Sequence, residues 1–91
     1  MNNLLPQDRR ELVFDYMLFL MKFPYEEYHK LRRAELLEVT NYIRRDKEAQ
    51  RDFSYFEREF IEGELSDMFD EEQKKLLIRN HRELGILALH G

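Results

Sequence analysis

Leu12-Val13-Phe14-Asp15-Tyr16-Met17-Leu18-Phe19-Leu20-Met21-Lys22-Phe23 is the stretch that decides the fold. Asp15 and Lys22 alone interrupt its apolar character. They stand seven residues apart, close to two helical turns, and Asp8 and Glu11 extend the same narrow polar stripe. A helix with one polar stripe buries most of its circumference, either as the central element of a small domain or by lending surface to another subunit. Leu12, Val13, Met17 and Leu20 are the expected core. Pro6 suits a first helical turn and Pro24 ends the helix, because the residue before a proline is pushed out of helical angles. The spacing predicts a helix from about Gln7 to Phe23.

Outward from this element, Tyr25, Tyr28 and Leu31 are three apart and predict a short helix that Arg32-Arg33 closes or bends. Leu36, Val39, Thr40 and Ile43 follow the i, i+3, i+4, i+7 pattern and predict an amphipathic helix from Ala34 to about Lys47. Ser54-Tyr55-Phe56-Glu57 matches a capping box, so a new helix is expected to start near Ser54, with Phe53, Phe56 and Phe60 along one side. Gly63 is expected to stop it in the left-handed conformation. Asp70-Glu71-Glu72-Gln73 repeats the capping pattern, and Gly85 is expected to close a last helix of about Glu71 to Leu84. Residues 86–91, led by Ile86-Leu87-Ala88-Leu89, then form an apolar tail.

The chain is 91 residues long with three glycines and two prolines, so the repeated turn signals of an all-β domain are missing. The expectation is all-α: one domain over residues 1–91, a compact bundle of four or five short helices. Hydrophobic residues make up 43% and charged residues 37%, too apolar for a disordered tail and too polar for a membrane span. There is no cysteine, which excludes disulfides, thiolate metal sites and thiol catalysis. The opening MNNLLPQDRR lacks the basic-then-apolar order of a signal peptide, and the expected location is the cytoplasm.

No catalytic, cofactor-binding or metal-binding residue is assigned. Glu26-Glu27-Tyr28-His29 supplies one Glu-x-x-His motif, but a carboxylate-bridged di-metal centre needs a second, and neither His81 nor His90 has a glutamate three residues before it. Ser54 and Ser66 read as helix caps, and no glycine-rich phosphate loop is present. An enzyme is therefore not expected.

Charge layout is more informative. Residues 52–72 hold nine acidic side chains against Arg58 alone, while the whole chain has a net charge of -4. The rest is therefore positive. Helix macrodipoles account for part of this segregation, and an acidic flank that docks a basic protein surface accounts for the remainder. Acidic and basic flanks of different copies could also attract one another. The overall acidity argues against general nucleic-acid binding.

In the last helix, Gln73 and Asn80 fall inside the apolar arc of Leu76, Leu77 and Leu84, while Ile78 points the opposite way. Two readings follow: the amides cap helix ends, or this face is hydrated and meets a partner. Tyr55, Glu59, Glu62, Gln73, Asn80, Ile86, Leu87 and Leu89 are the candidate partner-binding residues.

Leu31-Arg32-Arg33-Ala34-Glu35, followed by Asn41-Tyr42-Ile43 and by Phe53 to Glu57, resembles part of a family of small helical adaptor proteins of low-GC Gram-positive bacteria linked to Clp-type regulated proteolysis. The resemblance implies a bacterial adaptor and assigns no functional residue. Together these readings give a non-enzymatic regulatory protein, an adaptor or inhibitor that binds another protein with a basic surface. The alternatives are a small DNA-binding or transcription-associated protein contacting phosphate through Arg44, Arg45, Lys47 and Arg51 or through Lys75, Arg79 and Arg82, and a structural homo-oligomer, for instance a homodimer.

Overall fold

The computed structural model describes residues 4–23 and 33–90, with the side chain of His90 excepted. Four α-helices account for most of them: α1 (Pro6–Lys22), α2 (Arg33–Arg45), α3 (Lys47–Ile61) and α4 (Glu71–His90), with a 3-10 turn at Ser66–Met68 between the last two. The chain is an all-α bundle. The short helix expected over Tyr25 to Leu31 and the motif Glu26 to His29 lie outside the described residues.

α1 packs against each of the other three helices, and its polar stripe of Asp8, Glu11, Asp15 and Lys22 is exposed. Val13, Met17 and Leu20 are fully buried, whereas Leu12 is only half-buried at the edge of the core. Phe23, immediately before Pro24, has φ −121° and ψ 138°, the extended geometry that ends the helix. On α2, Leu36, Val39, Thr40 and Ile43 are all buried, and the helix ends at Arg45.

α3 departs from the expectation. It starts at Lys47, and its cap is Asp46, whose side chain accepts from Ala49 N–H at 3.0 Å. Ser54 sits exposed in mid-helix. The capping-box pattern is overridden because Asp46 already satisfies a free N–H, and Ala49, Phe53, Phe56 and Phe60 carry one apolar face through Ser54. A single residue therefore separates α2 from α3, and Gln50 Nε2 donates across this corner to Arg44 O at 2.7 Å. The half-buried Arg9–Asp52 ion pair ties α1 to α3, which withdraws Asp52 from the acidic flank.

α3 does end near Gly63, whose N–H reaches Arg58 O at 2.9 Å. The reason differs from the one expected, since Gly63 does not adopt a left-handed φ. A Cβ there would meet Glu59 Cα at 2.8 Å, so the glycine is required for space. Gly85 does not stop α4. The helix continues to His90, because fully buried Leu84 and half-buried Leu87 anchor the turns on either side, and a helical glycine costs only about 1 kcal/mol. The apolar tail is the last part of this helix.

Aromatic rings fill the space between α1, α3 and the α3–α4 connection. Phe14 packs on Phe56 and Phe60 at centroid distances of 5.2 and 5.5 Å, and Phe60 meets Phe69 edge-on at 5.1 Å. Edge-to-face and tilted pairs of this kind add to the stabilisation from area burial. The molecule measures 33 × 31 × 18 Å, and its short dimension is that of two helix layers at about 10 Å each. α3 and α4 each lie against both α1 and α2.

Candidate functional site

Two polar features occupy the core, and both are explained by the fold. Asn80 on α4 is fully buried and donates through Nδ2 to Leu20 O and Phe23 O, each at 2.9 Å. It thus caps the C-terminus of α1, whose last carbonyls have no partner within the helix. Asn80 Oδ1 is buried with no hydrogen-bond donor among the described residues. Gln73 forms a reciprocal capping box with Asp70: Asp70 N–H donates to Gln73 Oε1 at 3.0 Å, and Gln73 N–H to Asp70 Oδ1 at 2.8 Å. The two amides inside the apolar arc of α4 are helix caps.

The second feature joins three helices. Thr40 Oγ1 donates to Leu36 O at 2.7 Å, and Tyr16 Oη lies 2.9 Å from both Thr40 Oγ1 and His81 Nδ1. A carbonyl only accepts, so the single Thr40 hydrogen is committed to Leu36 and Tyr16 donates to Thr40. Tyr16 must then accept from His81, which places the imidazole proton on Nδ1. Phe53 stacks on the His81 ring at 4.1 Å. Burial of the imidazole lowers its pKa from 6.5 to about 4, so the ring is neutral at pH 7.

Among the described residues no three His, Cys, Asp or Glu side chains come together in a metal-binding arrangement, and no helix is long and apolar enough to cross a membrane. A shallow cleft between α1 and α2, lined by Leu12, Asp15, Phe19, Glu35 and Val39, holds about 140 Å³. Larger, open grooves run along the outer face of α3, about 540 Å³ beside Gln50, Arg51, Tyr55 and Arg58, and along the outer face of α4, about 340 Å³ beside Lys75, Ile78, Arg79 and Arg82.

The remaining candidates are on the surface, and the structure divides them. Tyr55 is exposed on the outer side of α3, with Glu59 and Glu62 following at i+4 and i+7 along the same face. Glu62 caps the end of that helix. Arg51 and Arg58 flank Tyr55 on the same helix, with Arg51 paired to Glu48 at 2.9 Å, so this face carries both signs. Ile86 and Leu89 belong to α4 instead, Leu87 is half-buried, and Asn80 lies in the core.

α4 supplies what the sequence reading missed. With the helix continuous through Gly85, Ile78, Ile86 and Leu89 fall on one solvent-facing stripe with Lys75, Arg79 and Arg82, all within an arc of about 100° at 100° per residue. The three aliphatic side chains are 48%, 46% and 65% exposed. Lys75 and Arg82 are exposed as well. The signal was present in the outward-pointing Ile78, but ending the helix at Gly85 cut Ile86 and Leu89 away from it.

Compared with protein-family models, curated proteins and solved structures, the chain matches none.

Proposed function

We infer that this protein is a non-enzymatic binding module, an adaptor or inhibitor, that engages another protein through the outer face of α4. The observation that carries this reading is the alignment of exposed Ile78, Ile86 and Leu89 with Lys75, Arg79 and Arg82. Large aliphatic side chains in solvent are stabilising only when covered, and several on one helical stripe are the pattern of a helix that docks on a partner. Cations beside them favour an acidic partner surface and accelerate its encounter. This replaces the acidic flank around Tyr55, Glu59 and Glu62 as the primary contact. The aliphatic residues also favour a protein over DNA, whose backbone is contacted through charge and hydrogen bonds.

Affinity capture from the native host tests this reading when wild type is run beside an Ile78→Asp/Ile86→Asp variant and a Glu59→Lys/Glu62→Lys variant. A specific partner is held by wild type and lost with the α4 variant. Capture indifferent to the α4 substitutions overturns the assignment of this face.

A further inference from the structure

We propose that the α4 face has a second occupant, the acidic α3–α4 connection of another copy of this chain, so that the protein associates head to tail. The inference rests on α4 being a binding face. Both halves of the contact are present on one molecule. Glu62, Glu64 and Asp67 are exposed around that connection, and none of them forms an ion pair with a described residue. Met68, 70% exposed, supplies an apolar side chain among them. Opposite signs and exposed apolar groups on both surfaces are the requirements for mutual docking.

The simpler alternative is a symmetric, antiparallel pairing of α4 with α4. Centred on Arg82 it sets Ile78 against Ile86, but it brings the two Arg82 side chains together and gathers six cations at one interface with the acidic connections left outside it, and like charges brought together across an interface oppose binding. A head-to-tail contact avoids this, because each copy offers its acidic connection to the next copy's α4. Such a contact is heterologous: it closes into a ring or grows as a chain. Lys75 to Leu89 spans about 21 Å of helix, a small footprint that gives weak, reversible association. Each contact covers one α4 face, so self-association competes with an outside partner for the same residues.

Complementary charge removal distinguishes this arrangement from a symmetric α4–α4 pairing. Lys75→Gln/Arg82→Gln removes the basic face and leaves the acidic connection intact; Glu62→Gln/Asp67→Asn removes the acidic connection and leaves the basic face intact. All four residues are exposed, and circular dichroism confirms that the variants fold. By sedimentation velocity, wild type is expected to show a mass average rising with concentration at about 50 mM salt and falling toward the monomer at about 500 mM, where screening is within about 4–5 Å. Each variant alone is expected to be monomeric. Their equimolar mixture is expected to form a two-chain particle and nothing larger, because only one productive interface exists between them. On wild type itself, concentration-dependent NMR shift changes should fall on residues 62–68 and on the outer face of α4. A wild-type chain that stays monomeric to about 1 mM, weaker than the millimolar affinity range, overturns the proposal, as does association that survives in either variant alone. Capture of an outside partner through Ile78 and Ile86, with no self-association, would sink this inference and leave the proposed function standing.

Discussion

Asn80 Nδ2 lies 2.9 Å from Leu20 O, sixty positions earlier in the chain, and the same nitrogen reaches Phe23 O. One buried amide therefore closes the C-terminal end of the central helix from outside it. Asn80→Ala removes both donors and leaves two carbonyls unsatisfied, so it is expected to cost about 1–3 kcal/mol. Asn80→Asp is expected to cost more, since a carboxylate offers no donor and sets negative charge against the negative end of α1. Urea denaturation with an unchanged slope and a lowered midpoint checks both. Wild-type stability in Asn80→Ala would mean that the cap contributes nothing.

Asp46 and Ser54 give opposite predictions for the start of α3. Asp46→Ala is expected to lose about 0.5–2 kcal/mol with the bond to Ala49 N–H. Ser54→Ala, exposed in mid-helix, is expected to be neutral or to stabilise by a few tenths of a kcal/mol, because alanine is the better helix former. Thermal melts of the two variants decide the matter; destabilisation by Ser54→Ala alone would restore a helix start at Ser54.

The difference between these two residues shows which parts of the fold were legible in the sequence. α1 and α2 were legible because their apolar spacing, and the stop of α1 before Pro24, are local and unopposed. The start of α3 was not, because Ser54-x-x-Glu57 and Asp46 compete for the same role and only packing of Ala49 beside Phe53 and Phe60 selects the earlier cap. Gly85 misled for a related reason: tertiary burial of Leu84 outweighs a small intrinsic penalty. The α4 face was hidden with it. Contacts such as Tyr16 with His81, or Asn80 with Leu20, join residues about sixty apart and leave no periodic trace in the chain.

Gly63 and Gly85 should respond to alanine with opposite signs. At Gly85 nothing lies within 4 Å of an added Cβ, and Gly85→Ala is expected to stabilise α4 by about 0.5–1 kcal/mol. At Gly63 the Cβ meets the backbone of Glu59 at 2.8 Å, so the α3–α4 connection must shift, at an expected cost of about 1–3 kcal/mol, in the range of overpacked positions. Denaturant midpoints measured side by side check the pair. A stabilising Gly63→Ala would show that the connection yields freely.

His81 makes folding stability depend on pH, with a sign fixed by its burial. The ordinary histidine pKa is 6.5, and in the folded chain desolvation lowers it to about 4. Between those values the unfolded chain binds a proton that the folded chain does not, so protonation favours unfolding and stability rises with pH across this window. The contribution is fully present above pH 6.5 and is lost progressively as pH falls towards 4. At about 1.4 kcal/mol per unit of pKa difference, it amounts to at most about 3–4 kcal/mol, less whatever solvent screening reaches the partly exposed ring. His81→Gln removes the titration, so the stability gap between wild type and variant should narrow steadily as pH drops from 7 to 4.5. Titration of the His81 ring by NMR measures the folded-state value directly. A midpoint near 6.5 would mean that the imidazole is solvated, and that its bond to Tyr16 and its stack on Phe53 do not exclude water.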